Sequence, residues 1–136
     1  MTAVAQGGNN YSFTYNGLGD RLQQTVNAAT SNYTLDLNSG LTQVLADGTN
    51  VYLYGIGRIA EQISTTWSYY HPDALGSARQ LSDSTGQINL AQSYEPYGDV
   101  LNSAGTATSS YGFTGEWSDG TVLFKTLSEG LTTLPY

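Results

Sequence analysis

The stretch Tyr11-Ser12-Phe13-Thr14-Tyr15-Asn16-Gly17-Leu18-Gly19-Asp20-Arg21-Leu22 decides the reading of the fold. Its aromatic residues alternate with hydroxyl residues, and a period of two puts one kind on each face of a β-strand. Gly17 and Gly19 then break the run, because glycine supplies the backbone angles that a tight turn needs. The same grammar recurs outward from here. Val51 and Leu53 oppose Tyr52 and Tyr54 on one short strand, and Ile88, Leu90 and Gln92 alternate with Asn89 and Ala91. Asp47-Gly48, Ser84-Thr85-Gly86 and Asp119-Gly120 are turn sequences between such runs. The best helical candidate is Leu22 to Ala29, and Thr25, Val26 and Asn27 compete against it. These patterns predict an all-β, antiparallel array of hairpins.

Composition narrows the function. The 136 residues carry 4 Lys+Arg against 11 Asp+Glu, a net charge of −7. Four cations cannot form the basic face that displaces phosphate counterions, so nucleic acid is not an expected partner. There is no Cys and one His, which removes thiolate chemistry and most metal sites. No apolar run reaches the roughly 20 residues of a membrane helix, and Met1 to Asn10 lacks the pattern of a signal peptide. Membrane insertion is not expected. Low charge with 11 Tyr also argues against disorder.

Setting the turns in register shows an internal repeat of roughly 20 residues: an aromatic residue, a short turn, a Gly, then Arg or an aliphatic pair. Tyr15 through Gly19 and Arg21 is the fullest copy. Leu35 through Leu41 keeps the Asp and Gly, and Tyr54-Gly55-Ile56-Gly57-Arg58 keeps the Tyr, Gly and Arg. Tyr70-His71-Pro72-Asp73-Ala74-Leu75-Gly76-Ser77-Ala78-Arg79 and Tyr94-Glu95-Pro96-Tyr97-Gly98 follow. One hairpin per unit cannot bury its own apolar face, so neighbours must complete it.

This unit resembles the tyrosine–aspartate (YD) repeat of Rhs proteins, approximately Tyr-Asp-x-x-Gly-Arg-Leu. Tyr70 through Gly98, continued by Tyr111-Gly112-Phe113-Thr114-Gly115-Glu116, is similar to the start of the Rhs repeat-associated core. On that resemblance the fold is a segment of an Rhs/YD-repeat shell. Residues 1–120 form the hairpin array and 121–136 a divergent tail. Tyr15, Gly19, Arg21, Tyr54, Gly57, Arg58, Tyr70, Gly76, Arg79, Tyr94, Tyr97 and Gly98 are the repeat positions. Asn16, Gly55, His71 and Glu95 stand where the family has Asp. After Gly120 the family's Arg-Tyr-Tyr-Asp-Pro-like segment is expected, and Thr121-Val122-Leu123-Phe124-Lys125 stands instead. The chain therefore reads as a piece of a longer protein. The resemblance implies a structural wall enclosing a C-terminal toxin, in bacterial competition or insecticidal complexes, secreted or on the cell surface. It implies no turnover and no cofactor.

The residues themselves offer few routes to catalysis. His71-Pro72-Asp73 sits among strand and turn signals rather than between the two helices of a J-domain, and no Ser lies on a Gly-x-Ser-x-Gly elbow. Glu61, Glu95, Asp99 and Glu116 could pair as glycosidase carboxylates, but Glu95 and Asp99 read as solvated turn acids. Asp47, Asp83 and Asp119 lack the spacing of a calcium loop. Arg21, Arg58 and Arg79, at nearly fixed offsets from the repeat Gly, read as partners for turn carboxylates. The alternative function is carbohydrate binding or adhesion, with Trp67, Tyr69, Tyr70 and Trp117 as a stacking platform. Against it stands the regular recurrence of Tyr, which favours packing. The expected partners are the rest of the parent chain, or another copy, through open β edges.

Overall fold

In the computed structural model, residues 2–118 are described, together with the backbone of 123–124 and 132–133. The chain divides into two compact units, residues 1–51 with 121–136 and residues 52–120. Residues 121–122, 125–131 and 134–136 of the expected tail, and the expected Asp119-Gly120 turn, lie outside the described residues. Within the tail, Leu123–Phe124 pairs antiparallel with Thr132–Thr133.

The first unit opens with a four-stranded antiparallel meander of β1 (Thr2–Gln6), β2 (Asn9–Tyr15), β3 (Arg21–Val26) and β4 (Ala29–Asn32). The alternation read from sequence is realised on β2, where Tyr11 and Phe13 are buried while Ser12 and Thr14 lie on the other side. Leu22 to Val26 is extended, not helical: Gln23, Gln24 and Thr25 pair with Asn32, Ser31 and Thr30. The β-branched Thr25 and Val26 suit a pleated ladder better than a helix. Next come β5 (Thr34–Asp36) and β6 (Gln43–Ala46). The chain then enters β7 (Asn50–Tyr54), whose Val51 pairs with Ala46.

The second unit continues as a meander of the end of β7, then β8 (Arg58–Ile63), β9 (Thr66–Pro72), β10 (Ala78–Ser82), β11 (Ile88–Tyr94) and β12 (Val100–Gly105). Each strand is hydrogen-bonded to the next in chain order. After β12 the chain turns back. Thr106 and Ala107 donate to Asn89 O, Ala78 donates to Gly112 O, and Tyr111 bridges Trp117. This closing segment, residues 106–118, packs its rings against the sheet. The core of the unit is Tyr52, Ala60, Tyr70, Ala78, Leu81, Leu90, Tyr111 and Trp117.

Among the described residues one turn recurs five times. In residues 16–20, 73–77, 83–87, 95–99 and 112–116 the first amide donates to the fifth carbonyl, and the fourth amide donates back to the first carbonyl. The fourth residue is Gly each time (Gly19, Gly76, Gly86, Gly98, Gly115), at φ between 73° and 98°. This is the three-residue hairpin loop with a left-handed residue at its foot, and only Gly takes that conformation without strain. In three copies the first residue caps the loop: Asn16, Asp73 and Asp83 accept from the amides two and four positions on. The frame corrects one expectation. Asp73, not His71, occupies the aspartate position of its unit, because Pro72 still belongs to β9. Gly57 lies in a tighter turn, closed by the Gly55 amide on the Gly57 carbonyl.

Candidate functional site

The densest set of polar and aromatic groups in the second unit lies between β7, β8, β9 and the closing segment. β7 contributes Tyr52 and Tyr54, β8 Arg58 and Glu61, β9 Tyr70, and the closing segment Ser109, Tyr111 and Trp117. Tyr111 is the hub, 2% exposed. Its ring meets Tyr52 edge-on at 5.2 Å, Trp117 at 5.1 Å and Tyr70 at 6.5 Å between centroids. The Arg58 guanidinium lies 2.9 Å from the Tyr111 ring centre and about equally far from Tyr70 (5.5 Å) and Tyr54 (5.6 Å). It donates to Gly115 O at 3.3 Å and to the Tyr54 hydroxyl at 3.4 Å. A planar cation with several in-plane donors can stack and hydrogen-bond at once, which an ammonium cannot.

Arg58 thus departs from the expected role. Arg58 faces rings, a phenol and a backbone carbonyl, not a turn carboxylate. Arg21 lies 4.3 Å above the Phe13 ring and is 1% exposed, with Nη1 donating to Gln24. Arg79 approaches Tyr94 at 5.9 Å, and its charge adds to the field on Asp73.

Glu61 is buried and accepts from the Tyr70 hydroxyl at 2.5 Å, and Tyr70 also meets Ser109 Oγ at 3.1 Å. Burial, reinforced by the Glu61 charge and hydrogen bond, pushes the Tyr70 phenol far above its ordinary range. Burial does the same to Tyr111, against the opposing pull of Arg58. Phenols held protonated in this way are neither bases nor nucleophiles at neutral pH. Glu61, read from sequence as one of a possible catalytic pair, faces Tyr70 inside the sheet, whereas Glu95 and Asp99 lie on an exposed turn. No group of three or more metal-ligating side chains occurs among the described residues.

The other repeat positions take varied places. Tyr15 is half-buried at the end of β2, and Tyr94 on β11 donates to Ala78 O at 2.8 Å. Tyr97 stands 89% exposed at the tip of its turn, and Gly98 backs onto the Phe113 ring. Of the four aromatic residues considered for sugar stacking, Tyr70 and Trp117 are interior, while Trp67 is half-buried and Tyr69 is 36% exposed. His71 donates to or accepts from Ser82 Oγ at 2.8 Å across β9 and β10.

This arrangement has counterparts among solved structures. A crystal structure of TcdB2–TccC3–TEV matches with a TM-score of 0.65 and 19% identity, over 86% of this chain and 7% of that one. The chain has the fold of a stretch of TcdB2–TccC3. The Photorhabdus luminescens Tc holotoxin pore matches at 0.63 with 21% identity, and TcdB2–TccC3 without its hypervariable C-terminal region at 0.63 with 20%. Each covers 89% of this chain. This chain spans only 7% of the length of any of the three. No protein-family model matches the sequence, and no curated protein does. The all-β hairpin array expected from the sequence is met in three dimensions by the fold of these Tc complexes.

Proposed function

We propose that this chain is a length of wall: a structural, non-catalytic segment of a YD-repeat β-shell that, within a longer protein, encloses a C-terminal polypeptide such as a toxin. The observation that carries the reading is the antiparallel meander punctuated by one repeated five-residue turn, whose fold matches a stretch of TcdB2–TccC3 over 86% of this chain. The site supports it as well. Arg58, Glu61, Tyr70 and Tyr111 face each other across the sheet and its closing segment, which is how a packed wall uses polar groups. Bacterial competition or an insecticidal complex would be the setting, with the parent protein secreted or held at the cell surface.

The test begins with the gene. Sequencing on both sides of these codons, followed by limited proteolysis of the native full-length product, should reveal further repeats and a downstream polypeptide cut only after the shell is denatured. A gene product with no further repeats and no protected polypeptide would retire the reading.

A further inference from the structure

The face of β9 turned away from Tyr70 has a chemistry of its own. Residues two apart on a strand share a face, so Trp67, Tyr69 and His71 form a row with neighbouring side chains about 7 Å apart. Across the ladder, Tyr69 lies opposite Ala60 on β8 and Ser82 on β10, and Trp67 lies opposite Gln62. Ala60 is fully buried and Ser82 is 5% exposed, although both lie on this face. Tyr69 stands between these two small neighbours, Ile88 lies opposite Ser82 on β11, and along the row Trp67 is half-buried while Tyr69 and His71 are exposed. Neither the Trp67 indole nor the Tyr69 hydroxyl makes a hydrogen bond within the described residues, which leaves two donors at the edge of the aromatic strip. Gln62, Gln80 and His71 add donors and acceptors around it, Gln80 lying opposite His71.

From this placement we propose that the β9 row is a binding strip for a neutral oligosaccharide. A pyranose ring presents a face of C–H groups that packs on an aromatic face, and a rim of hydroxyls that hydrogen-bond to amides, indole and phenol. Charge selects the class of ligand. The cross-strand partners Gln62 and Ala60 on β8 and Gln80 and Ser82 on β10 carry no charge, in a chain of net charge −7. An acidic polysaccharide or a nucleic acid is repelled by the chain as a whole. The strip is independent of the wall reading, because it lies on the opposite side of β9 from the Tyr70–Tyr111 packing.

The experiment uses the whole chain. Saturation-transfer NMR with cellohexaose, chitohexaose, laminarihexaose and maltohexaose should show at least one hexasaccharide binding with a Kd on the order of 1 mM. Trp67→Ala and Tyr69→Ala should each weaken that binding at least ten-fold while leaving the far-ultraviolet circular dichroism unchanged. Oxidation of the native protein by N-bromosuccinimide, mapped by mass spectrometry, gives a readout that needs no variant. The bound hexasaccharide should protect Trp67 and leave Trp117 as it was. Absence of binding for all four sugars at 10 mM, or binding without protection of Trp67, would overturn the strip whether or not the variants fold.

Discussion

Arg58 shows how one side chain can hold an element that is far away in sequence. Its guanidinium reaches Gly115 and Tyr111, 57 and 53 positions on, so it ties the closing segment to the sheet. Arg58→Met keeps most of the volume but removes the cation and leaves Gly115 O and the Tyr54 hydroxyl each short of a partner. A desolvated cation–π contact and an unmet buried acceptor together suggest a loss of about 2–4 kcal/mol in urea unfolding. Arg58→Lys should recover under half of that loss, since an ammonium cannot stack flat while bonding in the ring plane. Equal stability for the wild type and both variants would mean that the rings alone hold the segment. Tyr70→Phe removes the donor to buried Glu61 and should cost about 2 kcal/mol, as expected for a hydrogen bond to a charged acceptor. Raised phenol pKa values also set an alkaline limit. Tyr70 and Tyr111 bind their protons more tightly folded than unfolded, so their contribution is intact below the ordinary phenol value of about 10 and is lost as pH rises past it. Unfolding followed by tyrosinate absorbance should therefore be cooperative above that pH. The sequence shows these residues but not their partners. Arg58 beside Gly57 reads as a point charge near turn acids, whereas its position depends on an aromatic segment that only the closed fold brings near. Nothing in Ala60-Glu61-Gln62 marks Glu61 as buried, because its partner Tyr70 lies across a hairpin.

Turns and strands carried more of their structure in plain sight. Alternation alone placed the buried face of β2, and the Gly-rich breaks marked hairpins. The common frame of the five turns was harder to read because only the first and fourth positions are constrained, one by capping and one by a left-handed backbone. His71 therefore looked like the variant position of its unit until the hydrogen bonds put Asp73 there. The frame leads to a pH prediction. Asp83 is held below the ordinary carboxyl range by the Thr85 hydroxyl and by the Gln87 and Thr85 amides; at Asp73 desolvation is the largest single effect and raises the value, but the Ser77 and Leu75 amides, with the Ser77 side chain and the Arg79 charge, together outweigh it. A depressed folded pKa contributes stability above the unfolded value of about 4, and that contribution is lost as pH falls through the folded one. Asn16 already performs the same capping without a charge. A protein carrying both Asp73→Asn and Asp83→Asn should thus keep its turns and lose stability less steeply than the wild type between pH 4 and 2 in thermal melts. Unchanged steepness would place the acid sensitivity elsewhere. At the end of β12, Gly105 has φ 108° and an added Cβ would run into the backbone carbonyl of Asn89. Gly86 has a similar φ but open space. Gly105→Ala should therefore destabilise well beyond the roughly 1 kcal/mol of backbone strain expected for Gly86→Ala. If the two cost the same, the return of the chain onto Asn89 is not tight.

For the molecule as a whole, the open question is what a sheet that does not close does with its edges. β12 ends its ladder, and all six of its residues, Val100 to Gly105, are exposed. Natural edge strands are guarded by charge, Pro or a bulge; Val100-Leu101-Asn102-Ser103-Ala104-Gly105 contains neither charge nor Pro, and its one irregularity is the register shift at Leu101, where Ser93 pairs with Asn102 and Tyr94 with Val100. Inside a longer shell the next repeat would cover such an edge. In the isolated chain the nearest substitute is a second copy. Antiparallel self-pairing about the midpoint between Asn102 and Ser103 sets Leu101 against Ala104 and Val100 against Gly105, with no like charges opposed. Sedimentation equilibrium should therefore show an average mass rising above 14.5 kDa with concentration. Added salt should strengthen the association, since it screens repulsion between copies that each carry −7. Leu101→Lys places like charges on the edge and should hold the chain at its monomer mass with unchanged thermal stability. If the wild type also stays monomeric at high concentration and high salt, β12 does not pair with a second copy, and the candidate edges become β1, β4 and β5.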